Sequence, residues 1–281
     1  MQPSNPIMKT KEINHNRIIS SDGTVIGCSI LGQGPGLLVI HGGLRHGLHY
    51  KRLAEKLAAK FTVYLLHRRG RLISGPQGIS YSLSKECEDA AAIIQKHNIR
   101  LIFGHSYGGL VTMELATQLE FDKVAVFDPA VFRTGAFPLQ WLPAFEKKIA
   151  KQDFVGAMII FIKGAKIAGP LTYIPNFLLR PIFRLLFKKN NGEELSQLLC
   201  QLPAEMRVVN GFSSIERFRK VHANVLLILG GQSPAYFQQP MEELKSMLPN
   251  GKLECHAELG HNAPDEDAPD AIAEILLRFF P

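Results

Sequence analysis

No run of about 18 uncharged apolar residues occurs anywhere in this chain, so no membrane-spanning helix is expected. The first residues, Met1 to Lys11, hold no apolar core of the signal-peptide kind, and a cytoplasmic location is the default expectation. Cysteine is scarce. The four present, Cys28, Cys87, Cys200 and Cys255, are scattered without a Cys-x-x-Cys pair, which argues against a disulfide framework or a redox cysteine and for free thiols. Charged residues are 20% of the chain and apolar ones 46%, a balance that excludes disordered and fibrous classes. With 281 residues the chain is long enough for one large α/β domain with an insertion and a substantial core.

Acidic charge is short in one place. The formal net charge is +7, yet Arg133 to Lys220 carries 14 Lys and Arg against 6 Asp and Glu, a net of +8, leaving −1 for the rest. The segment reads as a solvated insertion face; its charge also suits weak contact with a membrane surface. No nucleic-acid partner is expected. Within it, Arg180, Arg184, Lys188 and Lys189 interleave with Phe177, Leu178, Phe183, Leu185, Leu186 and Phe187, a basic amphipathic stretch.

Most of the remaining chain alternates strand and helix. A hairpin is expected from Arg17 to Leu31 around the turn-former Ser21-Asp22-Gly23-Thr24. Leu37 to Ile40 and Phe61 to Leu66 are continuous apolar runs, as strands buried on both faces require. Helical spacing marks Lys51 to Lys60 and Leu83 to His97, the latter with Ser82 as N-cap and Glu86, Glu88 and Asp89 near the positive end of its dipole. Strands ending at Ser106 and at Phe127 follow, separated by a helix reaching about Gln118. After Val221 come a strand over Val225 to Leu229, a helix over Met241 to Leu248, a strand over Lys252 to His256 and a last helix over Pro269 to Phe280. Repeated βα units imply a mainly parallel, twisted sheet with helices on both faces. The piece from Asp128 to Val221, with six prolines between Pro138 and Pro203 and no strand signal, reads as a helical insertion over the carboxyl edge of that sheet, where ligands bind. The expected layout is a core over residues 12–132 and 221–281, interrupted by a cap over residues 133–220.

The chemistry concentrates at three points. In Gly104-His105-Ser106-Tyr107-Gly108 an apolar strand ends in Gly-x-Ser-x-Gly and a helix begins, which exposes the Ser106 hydroxyl on a sharp turn and aims the Tyr107 N–H at an oxyanion formed there. Acyl transfer by serine also needs a base, an acid that orients it and a second N–H donor. His261, on the loop between the last strand and the last helix, is the candidate base, and Gly43, in His41-Gly42-Gly43, the candidate second donor. His41 is read as a structural hydrogen-bonding group. His41, His46, His49 and His67 could suggest a metal site, but no carboxylate or cysteine joins them at a ligand spacing, so no metal and no cofactor are expected.

These three stretches, His41-Gly42-Gly43, Gly104-His105-Ser106-Tyr107-Gly108-Gly109 and Gly260-His261, together resemble the signatures of the α/β-hydrolase superfamily over roughly Arg17 to Phe280. The resemblance implies an α/β-hydrolase fold with a helical cap after the sixth strand and an esterase-, lipase- or lactonase-like activity. It implies a serine hydrolase acting on an apolar small-molecule ester or lactone. Other reactions of the fold, C–C bond hydrolysis and perhydrolysis, and a non-catalytic binding role remain open alternatives. Two departures stand out. His67 and Leu72 replace the usual Asp and Gly of the loop after the fourth strand, and the usual acid position after the seventh strand, Gly230 to Ala235, has no carboxylate. Some members carry the acid after the sixth strand, which assigns it to Asp128. Leu44 and the cap side chains Trp141, Phe161, Tyr173 and Phe177 are the expected substrate contacts.

Overall fold

The computed structural model describes residues 13–133, 135–189, 192–212 and 214–281. An antiparallel hairpin, β1 (Asn14–Ile19) and β2 (Val25–Leu31), opens the chain. Its turn is closed by the Ser20 N–H on the Thr24 carbonyl at 2.8 Å. Then follow β3 (Gly36–Ile40), α1 (Lys51–Leu57), β4 (Thr62–His67), α2 (Leu83–His97), β5 (Leu101–His105), α3 (Tyr107–Leu115) and β6 (Lys123–Phe127). Four helices come next: α4 (Leu142–Ala150), α5 (Phe154–Ala165), α6 (Asn176–Lys189) and α7 (Gly192–Gly211). The alternation resumes with β7 (Asn224–Gly230), α8 (Gln238–Met247), β8 (Gly251–His256) and α9 (Pro269–Phe279). All strands join one sheet in the order β1-β2-β4-β3-β5-β6-β7-β8, parallel from β4 to β8.

The continuous apolar runs have a direct explanation here. Alternate residues of one strand serve different cores: Leu38 and Ile40 pack toward α2 and α3, Leu37 and Val39 toward α1 and α9. A strand covered on both sides has no polar face to show. Ser82 caps α2, accepting from the Lys85 N–H at 3.3 Å, and Asn98 ends it in the left-handed region at φ 49°. α3 stops at Leu115, short of the expected Gln118, because the chain tightens: the N–H groups of Thr117 and Gln118 reach back only to the carbonyls of Glu114 and Leu115. All four cysteines are free thiols. Among the described residues no helix is long and apolar enough to cross a membrane.

Glu86 and Asp89 were expected to favour the dipole of α2; the structure gives them another task. Both are fully buried. Glu86 accepts from Arg68 at 3.0 Å, and Asp89 takes Arg69 in a two-pronged pair at 2.7 Å on each prong. The loop after β4 thus runs through the interior, and its three arginines are among the largest fully buried side chains.

Candidate active site

β5 delivers Ser106 into a corner that only small neighbours permit. A Cβ on Gly108 would lie 2.2 Å from the Ile40 carbonyl oxygen, and one on Gly104 would lie 2.5 Å from the Gly108 oxygen. Ser106 itself stands at φ 53°, ψ −118°, a conformation that an L-residue holds only when its surroundings impose it. The turn is held by the Ser106 N–H on the Phe127 carbonyl at 3.0 Å and by three N–H groups, of Gly109, Leu110 and Ala130, converging on the Ser106 carbonyl.

Three side chains from distant parts of the chain meet at this corner. His261 Nε2 lies 3.1 Å from Ser106 Oγ, and His261 Nδ1 lies 3.0 Å from Asp128 Oδ2. Asp128 follows β6 directly, is fully buried and sits at φ 41°. Its Oδ1 accepts the Gly230 N–H at 3.1 Å, and its Oδ2 also accepts from Ser233 Oγ at 2.5 Å. The last residue of β7 and the loop after it, which hold no carboxylate, therefore contribute a backbone N–H and a serine to the carboxylate that follows β6. The His261 ring is stacked on Phe237, centroids 4.8 Å apart, and lies 4.9 Å from the ring of His105. Two other carboxylates near His261 in sequence are engaged elsewhere: Asp265 pairs with Arg45, and Glu258 lies 3.7 Å from His256.

A cavity of about 600 Å³ opens over Ser106 and His261. Its floor holds Gly42, Gly43, Leu44 and Tyr107, and its roof is built by apolar side chains of α5, α6 and α7, including Met158, Phe161, Phe183, Leu202 and Met206. Tyr107 is the first residue of α3, so its N–H has no acceptor inside the helix. Leu44 and Phe161, two of the expected contacts, line the cavity. Three expected contacts are placed elsewhere. Trp141 packs edge-on against Phe145 and Phe161, one layer behind the wall, while Tyr173 and Phe177 are 82% and 73% exposed outside the cavity. Spacing alone gave these three aromatics to the cap without saying which face of each helix turned inward.

Behind the Gly42-Gly43 loop lies a charge network that sequence reading missed. Arg68 donates to the Gly42 carbonyl at 3.0 Å and to Glu205 of α7 at 2.8 Å; Arg71 donates to the same Glu205 carboxylate. The Arg68 N–H donates to His41 Nε2 at 3.2 Å, which leaves Nδ1 of that ring as the donor to the Gly42 carbonyl. A visible signal existed: three arginines in one short loop, answered by acids three apart on α2. Glu205 alone, on a long helix, gave none.

A carboxylate does join the histidines after β3. His46 Nε2 lies 2.6 Å from Glu194, and the His46 and His49 rings lie with centroids 3.8 Å apart, tilted by 32°. The three offer ligand atoms within 4.8 Å of one another. The sequence separation of Glu194 concealed this.

Burial holds several of these histidines neutral. His49 and His67 are pushed down to about 3, and His41 and His105 well below the ordinary value, in each case first by desolvation. An unfolded chain takes up those protons near pH 6.5, whereas the folded chain refuses them at His49 and His67 until about pH 3 and at His41 and His105 until well below the ordinary range. Stability should therefore fall as pH drops from 6.5 toward 3. Urea midpoints measured across that range should decline steadily, and His67→Gln should make the decline shallower; a flat profile would contradict the neutral histidines.

The chain matches the alpha/beta hydrolase family over residues 37–275. It belongs to that family. A pimeloyl-(acyl-carrier protein) methyl ester esterase of Chromobacterium violaceum is 34% identical over 91 residues, 31% of this chain. That match spans 34% of the relative's length. An alpha/beta hydrolase from Sphaerobacter thermophilus superimposes with a TM-score of 0.77 at 27% identity, covering 95% of this hydrolase and all of the other chain. An esterase from a Rhodococcus strain gives a TM-score of 0.71 at 16% identity, covering 94% and 98% of the two chains, a likeness of fold.

Proposed function

We propose that this hydrolase cleaves an ester or lactone of an apolar small molecule through an acyl-enzyme. The observation that carries the reading is the Ser106, His261 and Asp128 relay, with steps of 3.1 and 3.0 Å, at the base of a largely apolar cavity. In this reading Ser106 Oγ attacks the carbonyl carbon while its proton passes to His261 Nε2. Asp128 holds the ring with Nδ1 protonated and offsets the imidazolium charge. The N–H groups of Tyr107 and Gly43 receive the oxyanion. The intermediate collapses as His261 returns the proton to the leaving oxygen, and water, activated by the same histidine, then frees the acid. Each role falls to a side chain or a backbone amide, so the proposed reaction uses no cofactor or metal.

The lining supports an apolar acyl group. Among the described residues Arg45 is the one lysine or arginine at the wall, and it is already paired with Asp265 and with Glu266 at 2.7 Å. An anionic acyl chain therefore gains little there, whereas each methylene buried against the roof contributes about 0.8 kcal/mol at best, about fourfold in kcat/KM. Against a series of p-nitrophenyl esters, butyryl to octanoyl should exceed acetyl. A fluorophosphonate probe should label the native protein at Ser106 and not the Ser106→Ala protein. Labelling at another residue, or a preference for acetyl, would refute the corresponding half of the proposal.

A further inference from the structure

α6 is apolar on two sides. Leu179 and Phe183 face the molecule and are buried, while Leu178, Ile182 and Leu185, three and four residues apart, are between 48% and 53% exposed. Of the ten large hydrophobic side chains exposed among the described residues, seven lie between Leu171 and Leu186. Water does not favour so contiguous a patch on a free surface. Its flank carries charge of one sign: Arg180, Arg184 and Lys188, four apart, form a row, and α6 contains no Asp or Glu. Arg180 is held by Asp153 at 2.9 Å, whereas Arg184 and Lys188 point into solvent. The patch also continues inward, since Leu171 and Leu186, each 40% exposed, are at the same time part of the cavity wall.

We propose that the outward face of α6 seats on an anionic lipid surface, with the catalytic cavity opening at the edge of the contact. An exposed apolar row flanked by a cationic row is the arrangement with which a helix lies in a membrane interface, its side chains among acyl groups and its cations among phosphates. The positive charge of the segment complements anionic headgroups specifically. The continuity with the cavity gives an apolar substrate a route from bilayer to Ser106; that last step rests on the hydrolytic reading, while the docking does not.

The test uses the full chain carrying Ser106→Ala, so that binding is read without turnover, together with vesicles of phosphatidylcholine alone or mixed with phosphatidylglycerol. Co-sedimentation should be about tenfold stronger with the anionic vesicles and should weaken as salt is added. Ile182→Glu with Leu185→Glu should abolish it, and Arg184→Gln with Lys188→Gln should lower it to the level of the neutral vesicles. With Ser106 intact, both double variants should keep the native circular dichroism and the native rate on a soluble p-nitrophenyl ester, because none of these four side chains lines the cavity. No co-sedimentation with either vesicle, or unchanged binding by the Ile182/Leu185 variant, would overturn the proposal. So would a lipid-free dimer that the same variant dissolves, since the patch would then be a self-association surface. Because docking and turnover are measured on different proteins, failure of one leaves the other standing.

Discussion

Ser106→Ala is expected to remove ester hydrolysis while leaving the fold in place, with kcat lower by about four to six orders of magnitude. The hydroxyl stands at a turn whose geometry is fixed by backbone bonds, the Ser106 N–H on Phe127 and three N–H groups on the Ser106 carbonyl, none of which uses Oγ. Its side-chain contact is with His261. Residual turnover would come from the backbone donors and from binding alone. Stopped-time assays on the best acyl chain, alongside thermal melts of both proteins, would decide the matter: native turnover in the variant would end the serine mechanism, and a collapsed melt would show that the hydroxyl supports the fold.

Asp128→Asn carries the second large effect, a fall in kcat of roughly two to four orders of magnitude with a smaller change in KM. An amide at this position still hydrogen-bonds but supplies no negative charge to the imidazolium, and an NH₂ facing His261 Nδ1 favours the wrong tautomer. Ser233 makes the case more particular. Its Oγ and His261 Nδ1 share Asp128 Oδ2, so Ser233→Ala should lower turnover modestly rather than leave it untouched, by removing a donor that fixes the carboxylate. A fully active Asp128→Asn enzyme would leave His261 to act without this acid.

The sheet was legible because each strand buried on both faces must be apolar throughout, and because β3 to β8 recur with helices between them. The site was legible for the same reason: Ser106, Asp128 and His261 each follow the carboxyl end of a strand, so a correct strand order brings them to one edge before any side chain is seen. What escaped was set by pairing across long separations. Arg68 meets Glu205 across 137 positions, and no periodicity in either segment announces it. The aromatics failed differently. Trp141, Tyr173 and Phe177 lie in cap helices and turns that have apolar residues on more than one side, so composition could not tell the wall of the cavity from the layer behind it or from the outer surface.

Arg68, Arg71 and Glu205 divide the cap into unequal parts. Drawing α7 away from the core would strand these buried charges, at a cost of about 3–5 kcal/mol, so that such a state would hold roughly one molecule in 150 to one in several thousand. α5 and α6 meet the rest of the molecule chiefly through apolar contacts, with one hydrogen bond from the Tyr236 hydroxyl to the Ala165 carbonyl at 2.6 Å, and apolar contacts part and re-form at little cost in a nonpolar setting. Of the two parts, α5 and α6 would therefore part from the cavity at the lower cost and α7 at the higher. Since Arg68 also grips the Gly42 carbonyl, the amides proposed to receive the oxyanion are anchored to the same charge network as α7, and their position does not rest on where α5 and α6 lie.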